Sequence, residues 1–360
     1  MIRPFEHGGN IYRHTGDRPV LDYSANINPL GLAGGVRAAI AAHLDDVVHY
    51  PDPDCTALRE TLSRFYRIPA DAIIPGNGAA ELLYLYFHHF HFRRVCIPVP
   101  AFSEYERAAR SAGSEIVYTY LDPDKAFQPD LAAIERQAEG ADCIVLGNPN
   151  NPTGNLIRRQ ELIPFIERAA SRGQCVIVDE SFLDFRNDRT AFTVADFASR
   201  SGHVFVIHSL TKFYALPGLR LGFGIAPATV IQRLMEQTDV WHVNTLAQIA
   251  GIAAFRETEY QQISCKMVAE EGERMRQELS RISGVTVCPP SVNFLLCHIR
   301  ETGMTAAVLA GQMQEQGILI RDCSNYPGLT PYYIRLAVRD REENDYVVRT
   351  MKVCLKNKSE

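Results

Sequence analysis

The chain has 360 residues, 46% hydrophobic and 22% charged, enough to bury a large core and to divide into two domains. A net charge of -5 argues against nucleic acid as the main partner, and no uninterrupted apolar run approaches the length that spans a bilayer, which argues against a membrane one. Nine scattered cysteines without a C-x-x-C pair suggest neither a disulfide framework nor a zinc site; with no apolar signal-peptide core in Met1 to Asn10, a cytoplasmic location is expected.

In chain order, His7-Gly8-Gly9-Asn10 places a Gly-Gly pair between two polar side chains, the composition of a solvated end or of an arm that closes on something. Asn26 and Asn28 precede Pro29 and Gly31, a turn that exposes side-chain amides, and a helix is expected over about residues 34 to 44. His49-Tyr50-Pro-Asp-Pro-Asp54 reads as a rigid polar loop, with Asp54 the expected N-cap of a helix carrying Leu58, Leu62 and Phe65. Residues 73 to 83 read as a short strand, a Gly-rich turn and a helix start, whose free N–H groups at Gly78, Ala79 and Ala80 suit an anion such as phosphate. The histidines of Phe87-His-His-Phe-His-Phe92 have no carboxylate or cysteine beside them and are expected to close a helix rather than bind metal. Phe102 follows a buried strand, where it can stack on a flat ligand or simply fill the core.

Two Asn-Pro steps at residues 148 to 152 fix a turn that can hold Asn151 on a ligand. Asp179 and Glu180 end another apolar strand, where a carboxylate usually meets a metal, an arginine or a protonated pyridine nitrogen. The strand from Val204 to Ile207 then runs into Ser209, Lys212 and Arg220, with a Gly-rich return. A hydroxyl, an amine and a guanidinium in that order suit pyridoxal 5'-phosphate: Lys212 would form the Schiff base, and Ser209 and Arg220 would bind the phosphate. Strands alternating with helices from about residue 70 to 230 imply a largely parallel sheet covered on both faces, and every polar cluster lies just past the C-terminal end of a strand, where such sheets bind ligands. A smaller α+β part follows. It carries Arg321 and Arg335, which lie either on an exposed edge or against an anion.

With Asn151-Pro-Thr-Gly154, Asp179-Glu180, Ser209-Leu-Thr-Lys212 and Arg220 in order, the chain resembles the fold-type I pyridoxal-phosphate enzymes of the aspartate aminotransferase superfamily. Within it the chain is similar to the histidinol-phosphate aminotransferases. It is closer still to the L-threonine-O-3-phosphate decarboxylases of cobalamin biosynthesis, through His7-Gly-Gly-Asn10, Ser24 to Gly31, Tyr50-Pro-Asp-Pro-Asp54, Gly76 to Glu81 and Ile320-Arg-Asp-Cys-Ser324.

The resemblance implies an N-terminal arm and part of a small domain over 1–45, a large domain with a mostly parallel seven-stranded sheet over 46–245, and a small α+β domain over 246–360. It makes Lys212 the cofactor lysine, Asp179 the partner of the pyridine nitrogen, Asn151 the partner of the phenolic oxygen and Phe102 the stacking ring. Gly78, Ala79, Ala80, Ser209 and Arg220 would hold the phosphate, joined by Tyr50 from the other half of a homodimer with shared active sites. Arg335 would take the substrate carboxylate, while His7, Gly8, Asn28, Asn151 and Arg321 complete a site for a phosphorylated amino acid. Phe182 stands where many aminotransferases have a tyrosine, removing a hydroxyl from the cofactor oxygen. The reaction implied is decarboxylation of threonine phosphate, with serine phosphate a possible second substrate and histidinol-phosphate transamination the alternative. The same residues serve both, and the Cα bond held upright on the ring decides which.

Overall fold

The computed structural model describes residues 7–13 and 20–356. After a two-residue strand β1 (Leu21–Asp22), seven strands follow: β2 (Ile73–Gly76), β3 (Arg94–Val99), β4 (Glu115–Tyr120), β5 (Cys143–Gly147), β6 (Cys175–Asp179), β7 (Val204–Ser209) and β8 (Gly222–Ile225). They form one sheet in the order β2-β8-β7-β6-β5-β3-β4. The run from β4 to β7 is parallel, whereas β8 is antiparallel to both neighbours. The link from β7 to β8 contains only one short helix, Leu210–Phe213, and no helix long enough to carry the chain back across the sheet to a parallel neighbour.

The sheet is buried on both faces, so alternate residues of one strand serve two cores. On β7, Val204 and Val206 join Val176, Val178 and Phe165 on one face, while Phe205 and Ile207 join Leu82, Phe87 and Tyr105 on the other. Gly224 is required opposite Phe205: a Cβ there would lie 2.4 Å from the ring.

The second body is a four-stranded antiparallel sheet, β12-β13-β10-β9, made from β9 (Thr286–Val287), β10 (Phe294–His298), β12 (Arg321–Asp322) and β13 (Tyr333–Ala337). Strand β11 (Ile318–Leu319) pairs instead with β1, in parallel. Tyr23 then enters the core of this body with Leu295, Ile334 and Leu336, its hydroxyl donating to Asn344 Oδ1 at 2.9 Å. The long helix Thr258–Ser280 serves both cores, lending Cys265 and Val268 to the large one and Met275 and Leu279 to the small one.

Two local expectations are adjusted. Helix Gly34–Ala42 stops short of residue 44 and packs with helix Thr245–Ala254 on the large core through Val36, Ala247 and Ala250, although the first was expected with the arm and most of the second with the small domain. Helix Thr56–Tyr66 is entered through Cys55 in a left-handed conformation (φ 48°), which swings Asp54 away; Asp52 accepts from Thr56 N–H at 2.7 Å instead. Among the described residues, no helix is long and apolar enough to cross a membrane.

Candidate active site

Strand ends of the large sheet, the second body and the N-terminal arm together enclose a cavity of about 640 Å³. Lys212, Asp179, Asn151, Ser209, Arg220, Ala79, Ala80, Phe102, Arg321, Arg335, His7 and Gly8 all line it. Convergence of segments this far apart follows from the parallel run, which delivers the ends of β5, β6 and β7 to one edge.

Lys212 lies in the single helical turn after β7, half-buried, with its amine donating to Thr211 Oγ1 at 3.1 Å. Burial, then Arg220 and Arg335, pull its pKa down to about 8, against a smaller opposing pull from Asp179. The amine is therefore partly neutral near physiological pH, the form that attacks a carbonyl. Asp179 ends β6. Tyr105 donates its hydroxyl to Oδ2 at 2.8 Å, and Ser181 N–H reaches Oδ1 at 2.9 Å. Burial raises the Asp179 pKa, while these hydrogen bonds and His208 oppose the rise. Burial and the adjacent carboxylate push the Tyr105 phenol well up, so it remains a donor. Glu180 faces away from the cavity, accepting from Thr193 Oγ1 at 2.6 Å and Val194 N–H at 2.8 Å.

Below the lysine, helix Ala79–Phe90 starts at Gly78 (φ 85°) without a side-chain cap. A Cβ at Gly78 would lie 2.5 Å from Arg220 Nη2, and one at Gly222 would lie 2.5 Å from Ala79 N. Two glycines thus bring a helix N-terminus, a guanidinium and the Ser209 strand end to one place, a cradle for a phosphate. Ser209 Oγ shares a 2.7 Å hydrogen bond with Thr211 Oγ1.

Both small-body arginines are buried rather than on an exposed edge. Arg335 donates to Asn151 Oδ1 at 2.5 Å and to Ser24 O at 2.7 Å, with its guanidinium 5.5 Å from the centre of the Phe294 ring. Its Nε–H is buried without a hydrogen-bond partner among the described residues. Arg321 donates to Asp322 O at 2.6 Å and Asn325 Oδ1 at 2.7 Å, over the Tyr326 ring. Phe182 lies edge-on to Phe294, 5.1 Å between centres, and brings no hydroxyl to the cavity.

One expected site residue lies elsewhere, and the one assigned to the partner's site lies outside this chain's cavity. The Asn28 side chain is buried behind the cavity, donating to Phe213 O at 2.8 Å and Ser264 Oγ at 2.7 Å, and its backbone N–H reaches Lys212 O at 3.0 Å. An amide so engaged braces the lysine turn and is not offered to a ligand; Asn26 and Ile27 line the wall instead. Tyr50 is 76% exposed, stacked on Trp241 at 4.0 Å, and does not line the cavity of its own chain. Tyr105 and Glu104 were not singled out from the sequence. Tyr105 had a signal, standing three residues after Phe102 at a helix start and so on the same side. Glu104 had none, since a carboxylate is not expected in the wall of an anion site.

The family model for aminotransferase class I and II matches residues 18–351. Over 352 residues the chain is 37% identical to the threonine-phosphate decarboxylase of Salmonella typhimurium, covering 96% of this chain and 95% of that protein. Among solved structures, the histidinol-phosphate aminotransferase of Clostridium acetobutylicum superposes with a TM-score of 0.86 at 30% identity, covering 94% of this chain and 100% of that one. The L-threonine-O-3-phosphate decarboxylase of Porphyromonas gingivalis does so with a TM-score of 0.82 at 25% identity, again covering 94% and 100%.

Proposed function

The chain belongs to the class I and II aminotransferase family, and from that premise we propose that it is a pyridoxal-phosphate-dependent decarboxylase. Its substrate is L-threonine O-3-phosphate and its product (R)-1-amino-2-propanol O-2-phosphate, for cobalamin (cobamide) biosynthesis. The observation that carries the reading is near full-length likeness to a threonine-phosphate decarboxylase at 37% identity. The donor set fits the cofactor: a low-pKa amine, a buried strand-end carboxylate and an uncapped helix start with a guanidinium beside it. The chemistry that pyridoxal phosphate supplies when bound is an aldehyde that takes up amines and a ring that accepts an electron pair from Cα.

In this reading, Gly78, Ala79, Ala80, Ser209 and Arg220 hold the cofactor phosphate, Phe102 supports the ring, Asn151 bonds its phenolic oxygen, and Asp179 keeps a proton on its pyridine nitrogen. Lys212 would be the amine that takes up the aldehyde, and its Nζ the group that would return a proton to Cα. Arg335 holds the substrate carboxylate, and Arg321, His7 and Gly8 close on the substrate phosphate. Two anchored ends would leave the substrate little rotational freedom, so that the clamp would decide which Cα bond breaks. The active form is a cytoplasmic homodimer in which Tyr50 completes the partner's cofactor site; its exposed ring, with exposed Leu44, Val47, Val48 and Trp241, supports that assembly.

Incubation with threonine phosphate tests the proposal. Carbon dioxide released without an added oxo-acid is the expected result. Glutamate formed only when its oxo-acid, 2-oxoglutarate, is exchanged with histidinol phosphate would favour the transaminase reading, which the 30% identity to the Clostridium enzyme keeps in view. Serine phosphate lacks one methyl, and turnover about 10- to 200-fold lower is expected.

A further inference from the structure

Glu104 stands in the wall of a cavity built to attract anions, and it is only 7% exposed. A glutamate in the first turn of a helix gains from the helix dipole without being buried, so the dipole does not account for its position. Burying a carboxylate is costly unless it is paired. Its Oε1 meets His7 Nε2 at 2.7 Å and Arg107 Nη1 at 3.3 Å, and Oε2 accepts from Tyr84 OH at 3.3 Å. His7 lies against Phe102, its ring centre 5.5 Å away. The arm has a second tether: Gly9 N–H donates to Ser24 Oγ at 2.8 Å, and that hydroxyl donates to Asp22 Oδ1 at 2.6 Å. Between the tethers the arm lies flat, for a Cβ at Gly8 would come within 2.1 Å of Ser24 O.

We propose that Glu104 is a positioning residue, the seat that holds the His7 arm over the pocket mouth and turns His7 toward the substrate's remote anionic group. An imidazole whose Nε2 is engaged by a carboxylate has Nδ1 left as its polar atom. With His7 and Arg107 on Glu104, the carboxylate is neutralised and does not repel the incoming phosphate; these partners, working against burial, hold its pKa below the ordinary range. The role of His7 toward substrate rests on the proposed function; the seating of the arm does not.

The experiment compares the holoenzyme with E104Q, E104D, H7A and the E104Q/H7A double variant. Two readouts are followed: amide hydrogen exchange over residues 8–11, and kcat and KM for threonine phosphate. Glu104→Gln is expected to speed exchange about tenfold and to raise KM about tenfold with kcat within about twofold, as loss of a charge-assisted contact to a non-reacting group should. Glu104→Asp should recover part of both. The double variant should be no worse than His7→Ala, because one contact cannot be lost twice. Additive losses, unchanged exchange in E104Q, or a KM that falls on removing the charge would each overturn the proposal. If threonine phosphate is not turned over at all, the functional reading fails, and the exchange measurements still decide whether Glu104 seats the arm.

Discussion

Lys212 and His7 face the same cavity from opposite kinds of support. Lys212 follows a strand hydrogen-bonded on both sides and buried throughout, and Asn28 braces its turn from behind. His7 sits on a short arm, held by one carboxylate and one backbone hydrogen bond two residues on. The groups assigned to bond breaking are built into the sheet, whose cores fix them from both faces. The group assigned to the far end of the substrate rests on contacts that can be lost without disturbing a core. Support of the first kind holds reacting atoms in a fixed alignment.

The sharpest way to break that comparison is at the lysine. Lys212→Ala should lower carbon dioxide release about 10⁴-fold, since proton delivery at Cα is lost along with the aldehyde's resting partner; a variant within tenfold of the parent would end the reading. Asp179→Asn should cost about 10²–10³-fold in kcat, because a neutral amide cannot hold a proton on the ring nitrogen, and near-parent kcat would remove Asp179 from that role. On the clamp side the effect should fall on binding. Arg335→Lys should raise KM about 10- to 100-fold with a smaller change in kcat, as the planar fork that reaches Asn151 and Ser24 O is lost; an unchanged KM would move the carboxylate site elsewhere.

The smallest expected effect comes from pH. Lys212 titrates at about 8 in the folded chain and at 10.5 when unperturbed. Between those values the unfolded chain holds more protons, so this group's contribution to apoprotein stability rises with pH across the window, and its penalty is full below it. The same neutral amine captures the cofactor aldehyde. Capture by apoprotein, followed by stopped-flow absorbance, should accelerate about tenfold from pH 7 to 9 and then level off; acceleration continuing to pH 10 would mean that the amine is not depressed.

Much of the cofactor side was legible in the residues, because its chemistry is tied to backbone features that the sequence displays. A lysine, a carboxylate and an Asn-Pro turn at the ends of apolar runs must meet if the runs form a parallel sheet. Asn28 shows the limit. Turn composition announces an amide but not the direction it faces, and the packing against Phe213 and Ser264 turned Asn28 inward. Tyr50 belongs to the outer surface of its own chain, where its stacking partner is Trp241, a residue 191 positions later.

By itself the sequence determined the alternation of strand and helix, the family through its ordered motifs, and the kind of cofactor a carboxylate, an amine and a guanidinium in that order can hold. Those features depend on residue type and local spacing. Only the tertiary structure decided that Tyr105 shares Asp179, that Arg335 is buried against Asn151, and that Glu104 receives the arm. Each of these contacts joins separate segments, and burial makes each one matter: once water is excluded, every charge must find its partner in another part of the chain.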